Sequence, residues 1–168
     1  MGVAGCGKSS LGACVADALG WELIEGDDFH VESSKAKMRM GVPLADADRA
    51  AWLDMLGLEL ALHRQAVLTC SALKRSYRDQ LRSHLPDLRF AFLQLDEAAA
   101  RDRVAARFGE HLFPPTLVAS QFAALEPPRG EAGVLWLDAT LPLGALKAEV
   151  LQWITAPGPN TEVSEPQP

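Results

Sequence analysis

Residues 2 to 9, Gly2-Val3-Ala4-Gly5-Cys6-Gly7-Lys8-Ser9, spell G-x-x-x-x-G-K-S. Three glycines let the backbone curl so that successive N–H groups point inward, and a polyphosphate can lie against them with no side chain in the way. In such a loop the lysine, Lys8, reaches the β- and γ-phosphates, and the hydroxyl of Ser9 ligates Mg²⁺. Residues Gly2, Val3, Ala4, Gly5, Cys6, Gly7, Lys8, Ser9 and Ser10 are therefore the expected nucleotide contacts. A helix must follow, because its positive dipole end belongs beneath the phosphates. Ser10 to Leu19 has that form, with Leu11, Val15, Ala18 and Leu19 on one face and Gly20 as its stop. A loop of this kind also follows a buried strand, and only Met1 stands before Gly2.

The rest of the chain alternates short apolar runs with amphipathic stretches, the pattern of an α/β domain with a parallel sheet. Strands are predicted at Trp21 to Gly26, Ala66 to Ser71, Arg89 to Asp96 and Gly133 to Asp138. Helices are predicted at Val31 to Met40, Arg49 to Gln65, Glu97 to Phe108, Thr116 to Leu125 and Leu143 to Ile154, with a further polar helix carrying Tyr77 and Arg78. The 168 residues make one domain, residues 1 to 155, and the tail from 156 to 168 has no periodicity and reads as disordered. A net charge of -6 argues against a duplex nucleic-acid partner and favours a small molecule. Three cysteines without framework or metal-type spacing indicate a reducing, cytoplasmic setting. No apolar run reaches membrane-spanning length, and no membrane partner is expected.

Chemistry-bearing residues gather at strand ends, where ligands bind in such sheets. Asp27, Asp28 and His30 follow the first strand; a carboxylate there either accepts the proton of an attacking hydroxyl or caps the next helix. Lys35, Lys37 and Arg39 make the next helix basic, as a ligand surface or as a solvated face. Trp52 is either core or a ligand platform. Ser71 and Lys74 leave the buried strand at 66 to 71, well placed for an anionic substrate, the other reading being a basic first turn. Arg103 and Arg107, four residues apart, share a helix face and repel one another unless an anion lies between them. The interruption at 107 to 116 reads as a lid over the nucleotide or as an ordinary helix connection.

Several stretches together resemble the gluconokinase family over nearly the whole chain up to the tail. They are M-G-V-A-G-C-G-K-S-S, E-G-D-D-F-H at 25 to 30, K-M-R-M-G-V-P-L-A-D-A-D-R-A-A-W at 37 to 52, C-S-A-L-K-R-S-Y-R-D at 70 to 79 and S-Q-F-A-A-L-E-P-P at 120 to 128. The resemblance implies the three-layer fold of nucleoside-monophosphate and shikimate kinases, with parallel strand order 2-3-1-4-5. It also implies ATP- and Mg²⁺-dependent phosphorylation of D-gluconate to 6-phosphogluconate, and a homodimer. By position it makes Asp27 the base or orienting group, and His30, Lys37, Arg49, Ser71, Lys74 and Arg78 the residues that grip carboxylate and hydroxyls. Arg103 and Arg107 would close on the transferring phosphoryl, and Gln121 would help order the lid.

This chain departs from the family pattern at Glu25, often Asp, at Cys6, often Ser and here a thiol open to oxidation, and in the spacing around Gly109-Glu110-His111. The fold's central strand has no counterpart before Gly2. The expectation is that Met1 is an internal methionine of a chain starting about ten residues earlier, and that the 168 residues alone are weakly active or inactive. Rival readings are another small-molecule kinase of the same architecture and a non-catalytic nucleotide binder.

Overall fold

The protein is described by a computed structural model, which covers residues 1–63, 65–106 and 115–156. Along the chain run α1 (Lys8–Leu19), β1 (Glu22–Glu25), α2 (Glu32–Arg39), α3 (Asp46–Leu62), β2 (Ala66–Thr69), α4 (Arg75–His84), β3 (Phe90–Gln94), α5 (Glu97–Ala106), α6 (Val118–Ala124), β4 (Val134–Asp138) and α7 (Leu143–Thr155). A 3₁₀ turn, Gly26–Phe29, follows β1, and another, Pro115–Leu117, precedes α6. The predicted elements are all present; the strands, α2 and α6 are trimmed by one or two residues at their ends, where hydrogen bonds fray, while α1 begins two residues earlier than predicted and α3 begins and ends three residues earlier. The interruption at 107–114 and the tail from 157 lie outside the described residues.

All strand pairing is parallel. β1 runs beside β2 from Glu22↔Ala66 to Glu25↔Thr69, and β3 beside β4 from Phe90↔Val134 to Gln94↔Asp138. Between the two pairs lies the backbone of Met1 and Gly2. Met1 N donates to the Ala91 carbonyl at 2.6 Å, Leu93 N to the Met1 carbonyl at 3.0 Å, and Gly2 N to the Ser71 carbonyl at 3.1 Å. In space the order is therefore β1, β2, Met1–Gly2, β3, β4, with the first glycine of the loop in the middle position. Beside this joint lies a cavity of about 550 Å³, lined by apolar side chains including Leu11, Val15, Val67, Phe90 and Leu93.

Helix α1 starts at Gly7, whose φ of 95° is a conformation that costs a side-chain residue strain, and ends at Gly20 with φ 65°. It buries Leu11, Gly12, Val15 and Ala16. Ala18, expected on the inner face, is exposed, and Ala16 takes that place. Gly12 is inside because α1 lies almost on β2: a Cβ there would come within 2.6 Å of Thr69 Cγ2. One core packs α1, β3, α5 and α7 around Val3, Leu11, Val15, Leu93, Val104 and Val150. A second packs α3 on α4 around Trp52, Leu53, Leu56, Tyr77 and Leu81. The spacing of Trp52, Leu53, Leu56 and Leu60 puts them on one stripe of α3, which is why that helix lies flat on α4. Both cores leave the carboxyl ends of β1 and β2 facing a common space with the loop before α1.

Candidate active site

That space is a cavity of about 410 Å³. The loop forms one end of it through Ala4, Gly5, Gly7, Lys8, Ser9 and Ser10. Val3 and Cys6, only 2% exposed, turn their side chains into the core and pin the loop, so they serve the cavity through backbone alone. The buried Cys6 thiol is thereby shielded, contrary to the expectation of an oxidation-sensitive group among the phosphates. Lys8 Nζ lies 3.0 Å from the Val3 carbonyl. Gln121 of α6, itself buried, accepts a hydrogen bond from Ala4 N at 2.6 Å and ties the second half of the domain to the loop. Arg103 of α5 leans over the loop, donating to the Gly5 carbonyl at 3.4 Å and to the Ala139 carbonyl at 3.0 Å. Arg107 lies outside the described residues.

Oxygen ligands meet where α1 begins. Ser9 Oγ donates to Glu25 Oε2 at 3.0 Å, and the same carboxylate oxygen accepts a short hydrogen bond from Thr69 Oγ1. A hydroxyl pair and one carboxylate, with no nitrogen or sulfur, is a donor set suited to Mg²⁺, which keeps most of its waters and takes only one or two protein ligands. The longer arm of Glu25 does reach Ser9. Thr69 escaped the sequence reading; a lone hydroxyl closing an apolar strand was the available signal.

The opposite end is built from side chains. Asp27 rides on the 3₁₀ turn after β1 with its carboxylate 79% exposed and lines the cavity. His30, next on that turn, is 6% exposed and stacks on Trp52 with ring centroids 4.2 Å apart and planes 15° apart. Trp52 in turn donates Nε1–H to the Gly26 carbonyl at 2.8 Å, so it is both core and clamp for the turn that carries Asp27. His30 Nε2 stands 4.0 Å from Asp27 Oδ1, while Nδ1 is buried without a hydrogen-bond partner among the described residues. Burial pushes the His30 pKa below the usual histidine value against the pull of Asp27, with Arg49 and Lys35 adding to the downward shift. The ring is neutral at neutral pH, and His30 lines the cavity.

Of the basic residues around this end, four already hold a protein group. Lys35 donates to the Asp28 carbonyl at 3.1 Å, Lys37 to Asp48 at 2.7 Å, Arg39 to Glu32 at 2.5 Å and Lys74 to Asp46 at 2.8 Å. Those pairings hold Asp46 and Asp48 below the ordinary carboxylate range, through Lys74 and then Tyr77 for the first, and through Lys37 and then Ala45 N for the second. Arg49 lines the cavity and has no carboxylate within 4.0 Å among the described residues. Ser71 lines it too.

Three expected substrate ligands are placed elsewhere. Lys37 and Lys74 are engaged by Asp48 and Asp46 outside the cavity, and Arg78 is 1% exposed, its guanidinium enclosed by Glu131 and backbone carbonyls.

No family model matches the chain. A probable gluconokinase of Mus musculus is 37% identical over 176 residues, covering 90% of this chain and 94% of that protein. The gluconokinase of Gluconobacter oxydans is 44% identical over 141 residues, covering 80% and 78%. The chain belongs to the gluconokinase family. A crystal structure of a gluconokinase from Sinorhizobium meliloti matches this gluconokinase-family chain with a TM-score of 0.80 and 42% identity, covering 92% of each. A shikimate kinase from Acinetobacter baumannii, at 16% identity and a TM-score of 0.61, shares the fold alone, that of the P-loop kinases. In this gluconokinase-family chain the phosphate loop, Asp27 and Arg49 line one cavity.

Proposed function

We infer that this chain transfers the γ-phosphoryl group of ATP to a hydroxyl of D-gluconate, giving 6-phospho-D-gluconate. The observation that carries the reading is Arg49, which lines one cavity together with the phosphate loop and Asp27 and has no carboxylate within 4.0 Å among the described residues. A sugar acid has matching ends, a carboxylate for Arg49 and a hydroxyl for Asp27.

The loop amides and Lys8 hold the nucleotide's phosphates, and Arg103 adds charge over the loop where negative charge gathers in transfer. Ser9, Glu25 and Thr69 would hold Mg²⁺, which when bound neutralises charge on the β- and γ-phosphate oxygens. Asp27 orients the acceptor hydroxyl and takes its proton. Neutral His30 and Ser71 line the cavity, where a further hydroxyl of the acceptor can meet them. Phosphoryl transfer needs position and charge more than covalent catalysis, so this short cast suffices.

The same reading includes a reducing, cytoplasmic setting, supported by the free thiols Cys6, Cys14 and Cys70. It also includes a homodimer, supported by Met55, Leu58 and Leu62 exposed along α3 and testable by light scattering. Among the described residues no helix is long and apolar enough to cross a membrane.

The test is ADP release in a coupled assay with Mg²⁺ and ATP, comparing D-gluconate, glucose, shikimate and no acceptor. Release that rises with gluconate alone is the expected result. Release indifferent to gluconate, or faster with another acceptor, refutes the assignment.

A further inference from the structure

The turn that leaves β2 carries strain. Ala72 has φ 43°, and among the described residues it is the non-glycine residue with positive φ. An L side chain occupies that region against a steric cost and stays there only when its surroundings hold it. On one side of Ala72 is Ser71, which lines the active-site cavity and accepts Gly2 N of the phosphate loop on its carbonyl at 3.1 Å. On the other is Leu73, whose carbonyl accepts Glu126 N at 2.9 Å.

Arg78 is what holds the turn. Its Nη1 donates to the Ala72 carbonyl at 2.9 Å and to the Leu73 carbonyl at 3.0 Å, and Nη2 donates to the Glu126 carbonyl at 3.0 Å. Nε donates to Glu131 Oε2 at 2.9 Å, which fixes the plane of the guanidinium. Glu131 is steadied by Arg82 Nη1 at 3.2 Å from the same oxygen. Nη1 serves the two consecutive carbonyls while Nη2 and Nε reach Glu126 and Glu131, a planar set of donors from three nitrogens that a lysine ammonium cannot reproduce. A pair that served only to fill the core would not have to aim at the carbonyls of the strained residue and of its neighbour.

We propose that Arg78 is a positioning residue for the phosphoryl transfer: acting through the strained Ala72 turn, it sets where Ser71 stands on the acceptor side of the cavity. It never touches substrate itself. This rests on the gluconokinase reading above.

The test compares the wild-type chain with Arg78→Lys, Ala72→Gly and the double variant, measuring kcat, the KM values for gluconate and ATP, and Tm. Glycine adopts positive φ freely, so Ala72→Gly removes the need for the clamp. Arg78→Lys is expected to lower kcat/KM for gluconate about tenfold or more, the scale of a small misplacement, with the ATP KM within about twofold. The double variant is expected to recover most of that loss while its Tm stays as low as that of Arg78→Lys. A double variant as impaired as Arg78→Lys, or gluconate and ATP parameters that fall together in step with Tm, overturns the proposal. Should Arg78→Lys fail to fold, Glu131→Gln, alone and with Ala72→Gly, takes its place with the same two outcomes. A wild-type chain whose turnover is faster with another acceptor than with gluconate overturns the functional reading instead.

Discussion

At the phosphate end of the cavity the chain offers backbone, and at the acceptor end it offers side chains held by other side chains. Gly5, Gly7 and Ala4 present main-chain groups from one continuous loop whose shape follows from its glycines and from the burial of Val3 and Cys6. Arg49, His30, Asp27 and Ser71 come from three separate segments, and each needs a neighbour: Trp52 under His30, Asp46 and Asp48 occupying the competing lysines, Arg78 behind Ser71. A site for a group common to many substrates is made locally. The site for a particular acceptor is made by tertiary structure, and it can be altered one partner at a time.

If the two ends are separable in this way, substitutions should sort by which KM they move. Lys8→Ala removes the main cation of the phosphate end, and kcat is expected to fall about 10³-fold, with the gluconate KM nearly unchanged, in the coupled assay. A matching rise in the gluconate KM would join what the comparison separates. Asp27→Asn stands at the boundary. It should lower kcat about 10²-fold, the scale of a lost general base, and leave both KM values within about threefold. Arg49→Ala should raise the gluconate KM about 10- to 100-fold, as for a lost charged hydrogen bond, without moving the ATP KM. An Arg49→Ala chain that binds gluconate normally would move the acceptor carboxylate to another cation.

The smallest effect concerns His30 and pH. Burial holds its folded-state pKa below the ordinary value, so on acidification the unfolded chain takes up the proton first. Stability is therefore expected to be full above about pH 6.5 and to decline as pH falls through that region. Thermal melts of His30→Asn should lack that slope. The loss tied to Asp46 and Asp48 belongs to a lower window, below the ordinary carboxylate range, because their folded pKa values are depressed and their contribution fades only as they protonate.

How much of this was legible in the sequence follows the same division. Residues 2 to 9 announce the loop because they are consecutive, and the α/β alternation announces the sheet because its period is local. The acceptor end does not announce itself. Lys35, Lys37, Arg39, Arg49 and Lys74 look alike in one dimension; the carboxylates that engage Lys37 and Lys74 stand 11 and 28 residues away. Arg78 reads as a substrate ligand through the family resemblance alone, until the fold brings Glu131 from 53 residues on and buries both. Thr69 and Ala16 were missed for a related reason, since α1 approaches β2 at Gly12 more closely than any helical period reveals.

The residues that lead into the phosphate loop are also sheet residues. Met1 bonds to β3 at Ala91 and Leu93, and Gly2 bonds to the Ser71 carbonyl just beyond β2. Free energy that a nucleotide gains by ordering the loop is therefore passed on to the strands on either side of it, so occupancy of the loop and the protection of the amides at Gly2 and Leu93 are expected to rise together.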